Sequence, residues 1–79
     1  MTTQELRETL APMGLVVRSH ENRTSLNVDI YSDGKQVAEV PLRLYRYVLY
    51  GAFDTLDETI QLQAIGALME YVKTPPGGR

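Results

Sequence analysis

The chain has 79 residues, eight Lys and Arg against ten Asp and Glu, a formal charge of −2, and 43% hydrophobic residues that include five Tyr and one Phe. That length holds one small domain, which must bury most of its apolar side chains to offset about 1.5 kcal/mol of conformational entropy per ordered residue. The lack of Cys excludes a disulfide framework and thiolate metal sites, and the lack of a basic surplus argues against binding nucleic acid through its phosphates.

Thr2-x-x-Glu5 is a capping box, in which the Thr hydroxyl accepts from the third backbone N–H and the Glu reaches back. Leu6, Leu10 and Met13 follow at i, i+4 and i+7 as one apolar stripe, and Pro12 and Gly14 stop the helix. Leu15 to His20 reads as a strand with Leu15, Val17 and Ser19 on one face, and Glu21-Asn22-Arg23 as the turn that follows. Thr24 to Val40 reads as a β-hairpin, because Leu26, Val28 and Ile30 alternate with Asn27, Asp29 and Tyr31. A three-residue loop with a bulge is expected at Ser32-Asp33-Gly34, with Gly34 at positive φ. In that register Tyr31 pairs with Lys35, Val28 with Ala38 and Leu26 with Val40, so both strands bury the same face. The three strands are expected to form an antiparallel meander.

Pro41 to Phe53 fits two patterns. Leu42, Tyr45, Leu49 and Phe53 make one helical face, whereas Tyr45, Tyr47 and Leu49 alternate as in a strand. Pro41 marks a break, a bulge or an edge, and a bent or fourth extended strand is expected. A second capping box is expected at Thr55-x-x-Glu58, with Asp54, Asp57 and Glu58 toward the positive end of the helix dipole. The helix that follows carries two apolar stripes, Ile60-Ala64-Leu68-Val72 and Leu62-Ile65-Met69. Together they span more than one sheet can cover. The expectation is an α+β fold: an N-terminal helix, an antiparallel sheet of three or four strands, and a C-terminal helix packed on the sheet. Residues 1–74 form the single domain and Pro75-Pro76-Gly77-Gly78-Arg79 a mobile C-terminal tail.

Chemistry is sparse. His20 is the only histidine, and Ser19 and Glu21 beside it point to the opposite face of a regular strand, so Ser-His-Glu is no triad in space. Asp29 to Gly34 matches calcium-loop positions one, five and six, but Tyr31 and Val40 occupy positions that need oxygen ligands. The glycines are isolated, so no phosphate cradle is present. No catalytic, cofactor-binding or metal-ligating residue is assigned, and no cofactor is expected. Asn22-Arg23-Thr24 matches a glycosylation sequon, but the polar start Met1-Thr2-Thr3-Gln4-Glu5 carries no export signal and no apolar run reaches membrane-spanning length. A cytoplasmic protein off the membrane is expected.

Binding character gathers in Arg43, Tyr45, Arg46, Tyr47 and Tyr50. Interleaved Arg and Tyr stack on bases and neutralise phosphates, and equally serve as rigid amphipathic anchors at protein interfaces. A third reading has the rings in the core with the Arg heads reaching water. The acidic Asp54, Asp57 and Glu58 stand where a double-stranded-RNA-binding domain needs a Lys cluster, which disfavours nucleic acid. Leu62 and Met69 on the second helical stripe mark a further interface, expected to join two copies in a homodimer.

Asp33-Gly-Lys-Gln-Val-Ala-Glu-Val40, Gly51-Ala-Phe-Asp-Thr-Leu56 and Glu70-Tyr-Val-Lys-Thr-Pro75 carry a resemblance over the C-terminal two-thirds of the chain. The pattern is similar to small proteins encoded by phages and prophages of Gram-positive bacteria, in which a hairpin precedes an aromatic segment and a final helix ending in a Tyr-rich, Thr-Pro motif. Pro76-Gly77-Gly78 departs from the charged residues expected at that end. The resemblance implies context and brings no active site. With the binding residues it leads to the expectation of a non-enzymatic, protein-binding accessory protein of phage or prophage type, serving host takeover or inhibition of a defence nuclease. The alternative is a nucleic-acid-binding regulator using Arg43 to Tyr50.

Overall fold

The computed structural model describes residues 1–21 and 26–79. Helix α1 (Thr3–Leu10) leads through a 3-10 turn to strands β1 (Val16–Glu21), β2 (Leu26–Ser32), β3 (Lys35–Pro41) and β4 (Val48–Leu49). A second 3-10 turn, Gly51–Thr55, leads to helix α2 (Glu58–Lys73). The strands form one antiparallel sheet in the order β1-β2-β3-β4. This is the α+β arrangement read from the sequence, with four strands. Leu6 and Leu10 of α1, Val17, Val28, Ile30, Ala38 and Val40 of the sheet, Phe53, and Ala64, Leu68 and Tyr71 of α2 join in one core. The alternating strand residues Arg18, Asn27, Asp29 and Glu39 lie on the other side of the sheet, exposed or half-buried.

Local chemistry explains the start. Thr2 caps α1 by accepting from the Glu5 N–H, and the Glu5 carboxylate accepts from the Thr2 N–H at 3.0 Å. That backbone hydrogen bond holds the Glu5 carboxyl below its ordinary pKa. Leu6 and Leu10 are fully buried, where Leu→Ala changes generally cost about 2–5 kcal/mol. Gly14 turns the chain at φ 77, a left-handed conformation that disfavours a Cβ. Val17 of β1 and Leu15 just before the strand are buried, as expected, while Ser19 is exposed. The turn expected at Glu21-Asn22-Arg23 falls largely outside the described residues, as does the sequon.

The β2–β3 hairpin keeps the expected faces but not the expected register. Asp33 itself takes a positive φ of 49 beside Gly34 at 77, so the two close a two-residue loop and Ser32 pairs with Lys35. Farther along, Val28 pairs with Val40 and Ile30 with Ala38, with a bulge beside Ile30. A shift of two residues leaves every side chain on its face. The bulge takes up Val37, which explains why the consecutive residues Val37 and Ala38 are both buried.

After Pro41 the chain turns, and only Val48 and Leu49 pair with β3. The second capping box is replaced by a different cap. Thr55 closes the preceding 3-10 turn, donating its hydroxyl to the Ala52 carbonyl at 2.7 Å. Asp57 caps α2 instead, accepting from the Thr59 N–H at 2.9 Å. Tyr71 is fully buried and its hydroxyl lies 2.6 Å from the Thr3 Oγ1, which ties α2 to α1. Burial pushes that phenol above its ordinary pKa. Of the residues read from sequence as a tail, Pro76–Gly78 form a 3-10 turn and the Arg79 side chain hydrogen-bonds back to Leu42, Val72 and Thr74.

Candidate functional site

The Arg/Tyr segment is a surface feature with three different environments. Arg43 and Arg46 are exposed, and Tyr45 is 63% exposed. Tyr47 is half-buried and packs against the core. Tyr50, 39% exposed, donates its hydroxyl to Glu39 Oε2 at 2.7 Å. That hydrogen bond to a carboxylate is the main reason the Tyr50 phenol sits above its ordinary pKa. The core reading therefore holds for Tyr47 and fails for Tyr45. Leu44 and Leu49 are exposed as well, so four of the seven large apolar side chains left exposed among the described residues fall between positions 44 and 50.

Arg79 organises this region, and sequence reasoning missed it. Its guanidinium donates to the carbonyls of Leu42 at 3.1 Å, Val72 at 3.0 Å and Thr74 at 2.9 Å. It also lies over the rings of Tyr45 at 5.6 Å and Tyr71 at 5.4 Å. A planar cation with five fixed donors can clamp several carbonyls and still stack on an aromatic face. One side chain thereby joins the turn after β3 to the C-terminal end of α2 and backs the exposed Tyr45 ring. Pro-Pro-Gly-Gly gives no local sign of such long-range contacts.

The uncovered sheet face was missed too. Asp29 and Glu39 are cross-strand partners. Asn27 donates to Glu39 Oε1 at 2.9 Å and Gln36 to Asp29 Oδ1 at 3.0 Å. Burial, with the Glu39 charge second, holds the Asp29 carboxyl above its ordinary pKa. Neighbouring Arg18 lies over the Tyr31 ring at 5.4 Å, and among the described residues neither carboxylate has a cation within ion-pair distance. The alternation of polar residues was visible in the sequence, but the meeting of Asp29 with Glu39 depends on the shifted register.

Leu62 and Met69 of the second stripe of α2 face solvent, while Ile65 packs partly against the core. Leu62 is 67% and Met69 46% exposed, and Ile65 is half-buried. Gly66 lies between Leu62 and Met69, and among the described residues nothing beyond its own helix backbone lies within 4 Å of where a Cβ would stand. His20 is exposed on β1, opposite Asn27. Among the described residues no group of three or more His, Asp or Glu is placed to hold a metal ion, and no helix is long and apolar enough to cross a membrane.

No protein-family model matches the chain, and neither a curated protein nor a solved structure does. The functional reading rests on the residues and their geometry.

Proposed function

We propose that this chain is a non-enzymatic protein-binding module whose docking surface is the 43–50 segment, centred on Tyr45. The observation that carries the reading is the concentration of exposed Leu44, Tyr45, Leu49 and Tyr50 in seven residues, with Tyr45 backed by the Arg79 guanidinium. A Tyr ring held in place loses little further freedom on docking, which favours it as an anchor at an interface. Arg43 and Arg46 beside it add a cationic rim to the surface. The module acts in the cytoplasm as an accessory protein of phage or prophage type, occupying a host protein or a defence nuclease. The resemblance of Asp33 to Val40 and Glu70 to Pro75 supports that context. It also pairs with a second copy of itself through the exposed Leu62 and Met69 of α2, which leaves the Tyr45 surface on another element free for the partner.

The test is retention from the soluble extract of cells that carry the protein, on immobilised wild type and on Leu44→Ala/Tyr45→Ala. One protein held by the wild type, lost with the variant and little affected by added salt supports the reading. Retained nucleic acid released steeply by salt favours the regulator instead.

A further inference from the structure

The outward meridian of α2 has an internal symmetry that the stripe alone does not require. At 3.6 residues per turn, Glu58, Leu62, Ile65, Gly66, Met69 and Lys73 fall within an arc of roughly 100°. The buried residues Ala64, Ala67, Leu68 and Tyr71 occupy the opposite side of the helix. Leu62 and Met69 thus lie about as far from the core as the helix permits, where polar residues normally stand. Glu58, Leu62, Ile65 and Met69 are spaced four, three and four residues apart, the spacing of a seam between two helices.

We propose that α2 packs against the α2 of a second copy, antiparallel, about a two-fold axis passing between Ile65 and Gly66. This inference rests on the self-association proposed above and specifies its geometry. An isologous contact needs a surface complementary to itself, and each feature of the meridian has its counterpart at the same distance on the other side of that point. Leu62 comes level with Met69 of the second copy, and Met69 with its Leu62. Glu58 comes level with Lys73 of the second copy at both ends, roughly 22 Å apart at 1.5 Å per residue. A parallel pair would instead set Glu58 against Glu58 and Lys73 against Lys73. Charge therefore chooses the antiparallel pair.

Two further facts agree. Among the described residues Lys73 pairs with Glu70 alone, at 3.5 Å with both side chains about two-thirds exposed, a contact weak enough to exchange for another partner. Gly66 sits in the interior of α2, where glycine costs about 1 kcal/mol relative to Ala, and among the described residues no other part of the chain lies within 4 Å of where its Cβ would stand. Beside the two-fold axis Gly66 comes level with Ile65 of the second copy, where its missing side chain leaves room for that Ile.

The chain has no Cys, so disulfide trapping reports the register without background. Leu62→Cys mixed with Met69→Cys is expected to give a mixed disulfide dimer under mild oxidation, while each variant alone cross-links poorly. In sedimentation equilibrium the wild type is expected to dimerise in the micromolar range, as befits one face of one helix. Glu58→Lys and Lys73→Glu should each weaken the dimer several-fold, and the charge-swapped double variant should restore it. Circular dichroism checks that every variant remains folded. A wild type that is monomeric at high micromolar concentration overturns both the self-association and this geometry. A dimer that cross-links Leu62→Cys to itself, or that the double charge swap fails to restore, overturns the antiparallel register and leaves self-association standing.

Discussion

Replacing Gly34 with Val isolates the conformational requirement of the hairpin turn. Gly34 adopts φ 77, and a Cβ built there meets nothing within 4 Å. A Cβ therefore meets no collision among the described residues, and the expected effect is worked from backbone strain. Holding an L-residue in the left-handed region costs roughly 1–2 kcal/mol, and a β-branched side chain lies toward the upper end. For a domain of this size each kcal/mol moves the thermal midpoint by about 4–8 °C, so a fall of between about 4 and 16 °C is expected. Gly34→Asn should fall less, because Asn tolerates this conformation. Gly51→Ala serves as the control, since Gly51 is not among the positive-φ glycines and also has open space around it. Thermal unfolding followed by circular dichroism measures all three. A Gly34→Val midpoint equal to that of Gly51→Ala would refute the two-residue turn.

Asp29→Asn is expected to stabilise the protein at neutral pH. Because the folded-state pKa of Asp29 is raised, the folded protein loses stability as pH rises through that value, and the advantage of Asn should vanish below the ordinary carboxylate range, where Asp29 is protonated in both states. Denaturant titrations of both proteins across acidic and neutral pH read the difference, and a constant offset would contradict it. Tyr71→Phe should cost about 1 kcal/mol by removing the hydroxyl contact to Thr3. Thr3→Val should cost a similar amount, and the double variant little more than either. Additive losses in urea unfolding would mean that the two hydroxyls act independently.

What the sequence made legible follows the range of the interactions. The Thr2 capping box and the strand alternation are local, and both appear as read. Thr55-x-x-Glu58 has the same pattern as the first box, yet Ala52 competes for the Thr55 hydroxyl and Asp57 stands nearer the helix start. The hairpin register turned on whether Asp33 would join Gly34 at positive φ. Val37-Ala38, two adjacent apolar residues, was the trace of the bulge. The segment after Pro41 carried both periodicities, and pairing of Val48 and Leu49 with β3 decided for a short strand. The exposed face of α2 was legible because its apolar residues exceeded the arc a sheet can cover. Arg79 was not. Its partners Leu42, Tyr45 and Tyr71 are distant in sequence, and no local pattern announces a contact of that kind.

The most direct test of the binding account places a photoreactive amino acid at position 45 and, separately, at the exposed position 35 in the hairpin. Each variant is irradiated inside cells that carry the protein. The account predicts a covalent adduct with one protein from position 45 and none from position 35, and the position-45 adduct should weaken when Leu44→Ala is added. Equal labelling from both positions, or adducts with nucleic acid from position 45, would contradict it.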